Sequence, residues 1–215
     1  TSDFLDETKI LLRQVIDFVS KDGFLVAATA NEQDKLQLHV SKDGLTWRDA
    51  LFPENLRVNK QQAYTILSGK SGSLFVHVTM NPRQGTEFGN LIKSNEAGQS
   101  YIATLDAVNS DSNGYVDFEQ MDGLEGVNVV NRVLNPQKAI QGSKKQLQTM
   151  ITHNDGSRWS LLSPPLVDSK GQKYECLGKP LDQCSLHLHG YTDREAPRDT
   201  LSSGSADGMM IGVGN

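Results

Sequence analysis

Short runs of alternating apolar and polar residues recur along most of the chain, and glycine-containing turns separate them. Such alternation is typical of β-strands, and no stretch sustains the helical period of 3.6 residues. The pattern predicts antiparallel strands in consecutive groups of four, followed by an incomplete group. The predicted strands are Val15–Ser20, Phe24–Ala30, Leu36–Val40 and Trp47–Phe52, then Tyr64–Leu67, Leu74–Met80, Asn90–Lys93 and Tyr101–Leu105, then Tyr115–Gln120, Val127–Leu134, Leu147–Thr152 and Trp159–Leu162, and finally Ser185–Tyr191 and Met209–Val213.

A motif of seven or eight residues occurs three times, each time before the last predicted strand of a group. Each copy has a hydroxyl residue, an acid or amide, a glycine and a closing aromatic residue, and the copies are Ser41–Trp47, Ser94–Tyr101 and Thr152–Trp159. The closing aromatic residues lie 54 and 58 positions apart. A period of that length is typical of propeller blades or solenoid repeats, so the chain is predicted to be a repeat array.

The motif resembles the Asp-box, or bacterial neuraminidase repeat, which joins the third and fourth strands of a β-propeller blade. A side-chain oxygen accepts turn N–H groups, the glycine permits a positive φ, and the aromatic residue adds buried area beside the turn. The first copy is one residue short, and the other two have Glu96 and Asn154 where aspartate is usual. We expect a structural turn role for Ser41, Asp43, Gly44, Trp47, Ser94, Glu96, Gly98, Tyr101, Thr152, Asn154, Gly156 and Trp159.

The predicted fold class is all-β, with four-stranded propeller blades. The expected division is a connection over 1–14, blades over 15–53, 63–106 and 115–163, an insertion over 164–184, and the first half of another blade over 185–215. Propeller blades bury their faces against neighbouring blades, and about three and a half blades cannot close a ring of roughly four to eight. We therefore expect a partial segment of a larger propeller.

The composition is that of a folded domain, with 37% hydrophobic and 22% charged residues. The net charge is −5 and no block of Lys or Arg occurs, so a nucleic-acid partner is not expected. No run of about 18 apolar residues is present either. Any targeting segment or membrane span is therefore expected outside this sequence.

The chain has two cysteines, Cys176 and Cys184, in a polar stretch that follows Pro164 and Pro165. Their separation of eight positions is compatible with a local disulfide. Two free thiols are the alternative, because two cysteines are too few to define a disulfide framework. A disulfide would indicate an oxidising compartment.

Three stretches closely resemble the luminal domain of the sortilin family, the vacuolar protein sorting-ten receptors. These stretches are Met150–Trp159, Cys184–His189 and Gly208–Gly214, and Trp47–Pro53 is more similar to the fungal members. The resemblance extends over nearly the whole chain. It implies a segment from the middle of a ten-bladed propeller, with the two cysteines bridged.

The resemblance also implies binding rather than catalysis, without a cofactor. Such receptors are type I membrane proteins that carry soluble luminal cargo, such as vacuolar hydrolases, from the late Golgi to endosomes. The expected partners are that cargo and the rest of the propeller ring, and the expected location is the lumen of the late Golgi and endosomes.

A glycoside hydrolase is the enzymatic alternative, because sialidases and several glucanases also have Asp-box propellers. Such enzymes need paired carboxylates, or a tyrosine nucleophile with an arginine cluster in sialidases. The arginines here do not fall at equivalent positions of successive first strands, and no Arg-Ile-Pro motif occurs.

Two stretches of the chain resemble metal sites in part. The stretch Asn109–Gln120 partly matches an EF-hand calcium loop, but Asn109 replaces the first aspartate and Gln120 cannot supply the bidentate carboxylate. His187 and His189 share one face of a predicted strand, but zinc needs three or four convergent ligands. We expect no metal, and we take the two histidines as candidates for sensing endosomal pH.

Overall fold

Antiparallel β-sheet dominates the computed structural model, which describes residues 9–30, 36–56, 64–69, 72–174, 176, 178–193, 201–202 and 206–215. The predicted all-β class is confirmed. The first group of strands comprises β1 (Val15–Lys21), β2 (Phe24–Ala30), β3 (Leu36–Ser41) and β4 (Arg48–Asp49), paired in that order. Asp22 and Gly23 form the turn between β1 and β2 with φ values of +49° and +80°, as a tight hairpin turn requires.

The second and third groups repeat this order of strands. The second comprises β5 (Tyr64–Leu67), β6 (Phe75–Asn81), β7 (Phe88–Ser94) and β8 (Tyr101–Asn109), and the third comprises β9 (Phe118–Gln120), β10 (Asn128–Val133), β11 (Leu147–Thr152) and β12 (Ser160–Leu161). Each strand pairs antiparallel with the next within its group. One further antiparallel pair, between Arg132 and Val108, links β10 to β8. A short helix, α1 (Pro136–Ile140), lies between β10 and β11.

The core lies between the groups, and β6 contributes to it from both faces. Val76 and Val78 belong to an apolar cluster shared with β2 and β3 of the first group. Phe75 belongs to a second cluster, with Val108 and Val130, that extends to the third group. Because neighbouring positions on a strand point to opposite faces, the second group is buried on both sides.

Two outer strands are shorter than their apolar patterns predicted. The predicted strand Trp47–Phe52 forms a ladder only at β4, and Trp159–Leu162 only at β12. The first strand of the third group begins at Phe118 instead of Tyr115, because residues 111–115 are held in a turn by the side chain of Asp111.

The segment after the third group is less regular than predicted. Within the predicted strand Ser185–Tyr191, only Leu186 and Leu188 make ladder bridges, with Leu162 and Gly214. A 3-10 helix (Tyr191–Asp193) follows, and another (Leu181–Gln183) precedes. The second predicted strand, Met209–Val213, is reduced to β14 (Met210–Ile211), which pairs with β13 (Leu201–Ser202).

Candidate functional site

The first box, Ser41–Trp47, connects β3 to β4 and is closed by the carboxylate of Asp43. One oxygen of this carboxylate accepts the backbone N–H groups of Thr46 at 2.7 Å and Leu45 at 2.8 Å. The other accepts the Thr46 hydroxyl at 2.9 Å. These bonds, led by the Thr46 N–H, hold the pKa of Asp43 well below its usual range. Both oxygens of the Asp43 carboxylate are therefore engaged in closing the turn.

The second box, Ser94–Tyr101, uses a different acceptor from the one predicted. The side-chain oxygen of Asn95 accepts the N–H groups of Gln99 at 2.9 Å and Ser100 at 3.2 Å. Glu96 is exposed and makes none of these bonds. The prediction that Glu96 takes the acidic position of the box is therefore wrong, because the shorter amide one residue earlier already satisfies the turn.

The third box, Thr152–Trp159, has an amide in the place that Asp43 has in the first box. The side-chain oxygen of Asn154 accepts the Arg158 N–H at 2.9 Å and the Thr152 hydroxyl at 3.0 Å. The Thr152 hydroxyl oxygen in turn accepts the Gly156 N–H at 3.0 Å. An uncharged acceptor is sufficient to hold this turn.

The glycines of the second and third boxes lie against the preceding group of strands. A Cβ atom on Gly98 would come within 2.6 Å of Val40 and 2.9 Å of Phe24, both in the first group. A Cβ atom on Gly156 would lie 3.1 Å from Phe75, in the second group. The boxes are therefore joints between groups as well as turns within them. Sequence reasoning treated them as local turns and missed this role.

Polar contacts reinforce both joints. The N–H of Leu51 in the first group donates to the carbonyl of Gln99 at 2.7 Å, and the Tyr101 N–H donates to the Leu51 carbonyl at 3.1 Å. At the next joint, Lys93 of the second group forms an ion pair with Asp155 of the third box.

The closing aromatic residues of the three boxes contribute buried apolar surface rather than hydrogen bonds. The Trp47 and Trp159 indole nitrogens and the Tyr101 hydroxyl are buried without a hydrogen-bond partner in the described part of the chain. The Tyr101 ring meets Phe52 edge to face, with 5.0 Å between the ring centroids. Burial raises the pKa of the Tyr101 hydroxyl, so this group is neutral at physiological pH and unsuited to act as a nucleophile.

A disulfide joins Cys176 and Cys184, whose Cα atoms lie 5.5 Å apart. A cross-link that closes so short a loop stabilises a fold by roughly 2–3 kcal/mol when it is unstrained. It fixes the end of the insertion directly before the segment that carries the two candidate histidines.

The structure places His187 and His189 side by side, with 5.7 Å between their ring centroids. Both are partly buried. The Nδ1 atom of His187 lies 3.1 Å from the Thr149 hydroxyl oxygen on β11. His189 lines a small cavity together with Asp117 and Glu119 of the third group. Thus each histidine lies against the third group, and two acidic residues share the lining of the cavity with His189.

The carboxylate of Asp117 organises this junction and was not singled out from the sequence. Asp117 is 2% exposed and accepts bonds from the side-chain amides of Asn109 at 2.8 Å and Asn131 at 3.1 Å. Its oxygens also accept the Thr192 N–H at 2.9 Å and hydroxyl at 3.0 Å. A Cβ atom on Gly190 would lie 2.2 Å from the Asp117 carboxyl carbon, so only glycine fits there.

Hydrogen bonds within the protein engage the residues of Asn109–Gln120 that resemble calcium ligands. Asp111 accepts the N–H groups of Asn113 and Tyr115, each at 2.9 Å, and so closes its own turn. Gln120 donates its amide to a backbone carbonyl of the second group at 3.0 Å. Within the described residues, no cluster of three His, Cys, Asp or Glu side chains could hold a metal ion.

The family model described as Sortilin, neurotensin receptor 3 (Sortilin-Vps10) matches residues 1–215, which is the whole chain. This chain belongs to the sortilin–Vps10 family. The domain of this family is a β-propeller, and the three groups of strands described above are propeller blades.

Fungal members of the sortilin–Vps10 family are close relatives. The chain is 47% identical to "Vacuolar protein sorting/targeting protein 10" of Talaromyces stipitatus, over 100% of this chain and 15% of that protein. It is 46% identical to "Vacuolar protein sorting/targeting protein PEP1" of Saccharomyces cerevisiae, over 100% of this chain and 14% of that protein. The chain therefore spans about one seventh of the length of these relatives.

Among solved structures, a putative glycosidase from Bacteroides thetaiotaomicron aligns with 82% of this chain and 54% of its own chain, at 11% identity and a TM-score of 0.32. That likeness is too low to support an argument about the function of a sortilin–Vps10 protein. No helix in the described ranges is long and apolar enough to cross a membrane.

A buried histidine in this family member, His77 on β6, also escaped sequence reasoning. It is 1% exposed, and its Nε2 atom lies 3.2 Å from the Val108 carbonyl oxygen. Burial lowers its pKa to about 4, so the imidazole is neutral at physiological pH. The sequence feature that could have indicated the burial of His77 is its position between Val76 and Val78 in an apolar strand.

Proposed function

We propose that this chain is the luminal ligand-binding part of a type I sorting receptor. The receptor carries soluble vacuolar hydrolases from the late Golgi to endosomes, and this part lies in the lumen of those compartments. The observation that carries the proposal is the match over the whole chain to relatives named for vacuolar protein sorting and targeting. The disulfide supports an oxidising compartment.

In this proposal the chain is one sector of a ten-bladed ring. Blades occupy 15–53, 63–106 and 115–163, the disulfide-bearing insertion occupies 164–184, and 185–215 opens the next blade. The relatives are long enough to contain the other blades, because this chain covers only 14–16% of them. The remaining blades and the cargo are its proposed partners, and a span elsewhere in the receptor holds it to the membrane.

The hydrogen bonds of two acidic side chains, Asp43 and Asp117, favour ligand binding over glycoside hydrolysis as the function. Asp43 is engaged by turn N–H groups, and Asp117 by two amides and one threonine. A hydrolase needs a pair of carboxylates free to flank the scissile bond. We therefore propose that the chain has no catalytic activity.

The proposed function predicts secretion of cargo when the receptor is absent. Cells that lack the full-length protein should release vacuolar hydrolase activity into the medium at several times the level of the parent strain, and the intact gene should restore retention. The purified full-length protein should not hydrolyse sialosides or β-glucans above a heat-inactivated control. Unchanged secretion would contradict the sorting role, and turnover abolished by one acidic substitution would favour the hydrolase.

We propose further that His187 and His189 contribute to the release of cargo in acidic endosomes. Histidine as a class titrates between pH 5 and 8, and protonation of both rings would place two positive charges side by side. Asp117 and Glu119 line the small cavity together with His189, and His187 lies against the Thr149 hydroxyl. The repulsion would loosen the contact with the third blade.

This proposal predicts a weaker pH dependence in the variant His187→Gln/His189→Gln. Binding of secreted hydrolases to the full-length receptor should fall between pH 7 and pH 5.5, and the double variant should lose a substantial part of that fall. The exposed His153 provides a matched control as His153→Gln. Full retention of the pH dependence in the double variant would show that the two histidines are structural.

A further inference from the structure

A cleft of about 210 Å³ lies at one edge of the second blade. The loop between β6 and β7 forms one wall, and the crossing from β8 to β9 forms the other. Two carboxylates, those of Glu87 and Asp111, line it, together with the side chains of Thr65 and Ser112. These groups are hydrogen-bond acceptors or hydroxyls, and no Lys or Arg is among the described residues that line the cleft.

Each carboxylate is held in place by its own loop. One oxygen of Glu87 accepts the Gly85 N–H at 3.0 Å, and Glu87 is only 5% exposed. One oxygen of Asp111 accepts the N–H groups of Asn113 and Tyr115. These bonds fix the positions of the two carboxylates.

The buried imidazole of His77 also lines the cleft. Its Nε2 atom lies within hydrogen-bond distance of the Val108 carbonyl, which requires the proton on that nitrogen. The Nδ1 atom is then an acceptor, and it has no hydrogen-bond partner in the described part of the molecule. An unsatisfied buried acceptor favours a ligand that donates hydrogen bonds.

An aromatic pair stands beside Asp111. The rings of Tyr115 and Tyr191 lie with their centroids 4.6 Å apart, and Tyr115 is 49% exposed. Tyr115 is tied to Asp111 by two bonds, because the Asp111 N–H also donates to the Tyr115 carbonyl at 2.9 Å. An exposed aromatic ring next to a carboxylate suits a planar cation.

The third blade braces both walls. The Lys145 ammonium donates to the backbone carbonyls of Glu87 at 2.9 Å and Ser110 at 2.8 Å. Arg83, in the β6–β7 loop, donates to the Ile140 carbonyl of α1 at 3.2 Å. Contacts with the third blade thus hold both walls of the cleft, and a preformed site lowers the entropic cost of binding.

We propose that this cleft binds the guanidinium group of an arginine side chain on a partner polypeptide. A guanidinium carries five N–H donors in a rigid plane and stacks on aromatic rings, so it matches the acceptors and the tyrosine pair. An anionic ligand would be repelled by the two carboxylates. The inference rests on the proposed receptor function only in assigning the arginine to bound cargo, since the cleft can be tested with a small probe.

The test measures binding of Nα-acetyl-arginine amide to the full-length protein by calorimetry, beside the uncharged citrulline analogue and the lysine analogue. We expect the citrulline probe to bind at least about tenfold more weakly than the arginine probe, and the lysine probe several-fold more weakly. Asp111→Asn and Glu87→Gln should each weaken arginine binding about tenfold. Both substitutions remove charge but keep the oxygen that accepts the loop N–H groups.

A matched control is Asp168→Asn in the insertion. Asp168 accepts the N–H groups of Lys170 and Gln172 in the same way that Asp111 accepts those of Asn113 and Tyr115, but it lies outside the cleft. This variant should bind the arginine probe like the parent. Equal affinity for arginine and citrulline, or unchanged affinity in both cleft variants, would overturn the site. Equal affinity for arginine and lysine would overturn the assignment to guanidinium. Neither result would touch the hydrolase secretion test of the receptor function.

Discussion

Replacing Gly98 with alanine should destabilise the joint between the first two blades by about 2–5 kcal/mol. Two costs add. The left-handed φ of +71° disfavours any residue with a Cβ atom by about 1–2 kcal/mol. The new methyl group would also press on Val40 and Phe24, and overpacking a core costs about 1–3 kcal/mol. Hydrogen exchange in the full-length protein should therefore be at least about thirtyfold faster in β2 and β8.

The control for Gly98 is Gly23→Ala. Gly23 has a φ of +80°, and an added Cβ atom would meet nothing within 4 Å. This variant should show only the backbone cost of about 1–2 kcal/mol. If the two variants accelerate exchange equally, the contact between the box glycine and the preceding blade does not contribute to stability.

Acidification should destabilise the second blade through His77. Burial lowers the pKa of His77 in the folded protein from 6.5 to about 4, so the unfolded chain binds more protons between these values. The stabilisation is complete above pH 6.5 and is lost as the pH falls towards 4. The full loss is about 3 kcal/mol, from a pKa difference of about 2.5 units.

The variant His77→Gln should show a flatter dependence of unfolding free energy on pH over this range. Its amide can still donate to the Val108 carbonyl but does not titrate. Exchange rates of β6 in the full-length protein, compared at pH 7 and pH 4.5 after correction for intrinsic rates, provide the measurement. His153→Gln, at an exposed position, should behave like the parent. An identical pH dependence in the His77→Gln variant would show that His77 is not the responsible group.

The strand interiors could be predicted because alternation is a local property that burial on both faces of a blade reinforces. Phe24–Ala30 and Tyr64–Leu67 begin and end where the pattern predicts. The lengths of the outer strands could not be predicted, because their pairing ends where a box or an insertion redirects the backbone. The end of the predicted strand Ser185–Tyr191 at Gly190 could not be predicted either. Its cause is the contact of Gly190 with Asp117, which lies more than 70 positions earlier.

The candidate sites were predicted less well than the strands. The cysteine pair was predicted because its separation is compatible with a local disulfide and because the family resemblance implies the bridge. In the second box the acceptor of the turn N–H groups is Asn95 and not the predicted Glu96. This choice depends on side-chain length and turn conformation rather than on residue type. The cleft brings together residues that are distant in the sequence, such as His77 and Asp111, so no local spacing could reveal it.

The contacts of the second and third boxes with the blade before each of them give the chain a direction of assembly. Gly98 needs Phe24 in place, and Gly156 needs Phe75, whereas neither of these contacts requires the blade that follows. A nascent polypeptide emerges from the ribosome in the same order, so each finished blade is a ready template for the next. A damaged box would then impair the docking of its own blade onto the blade already formed.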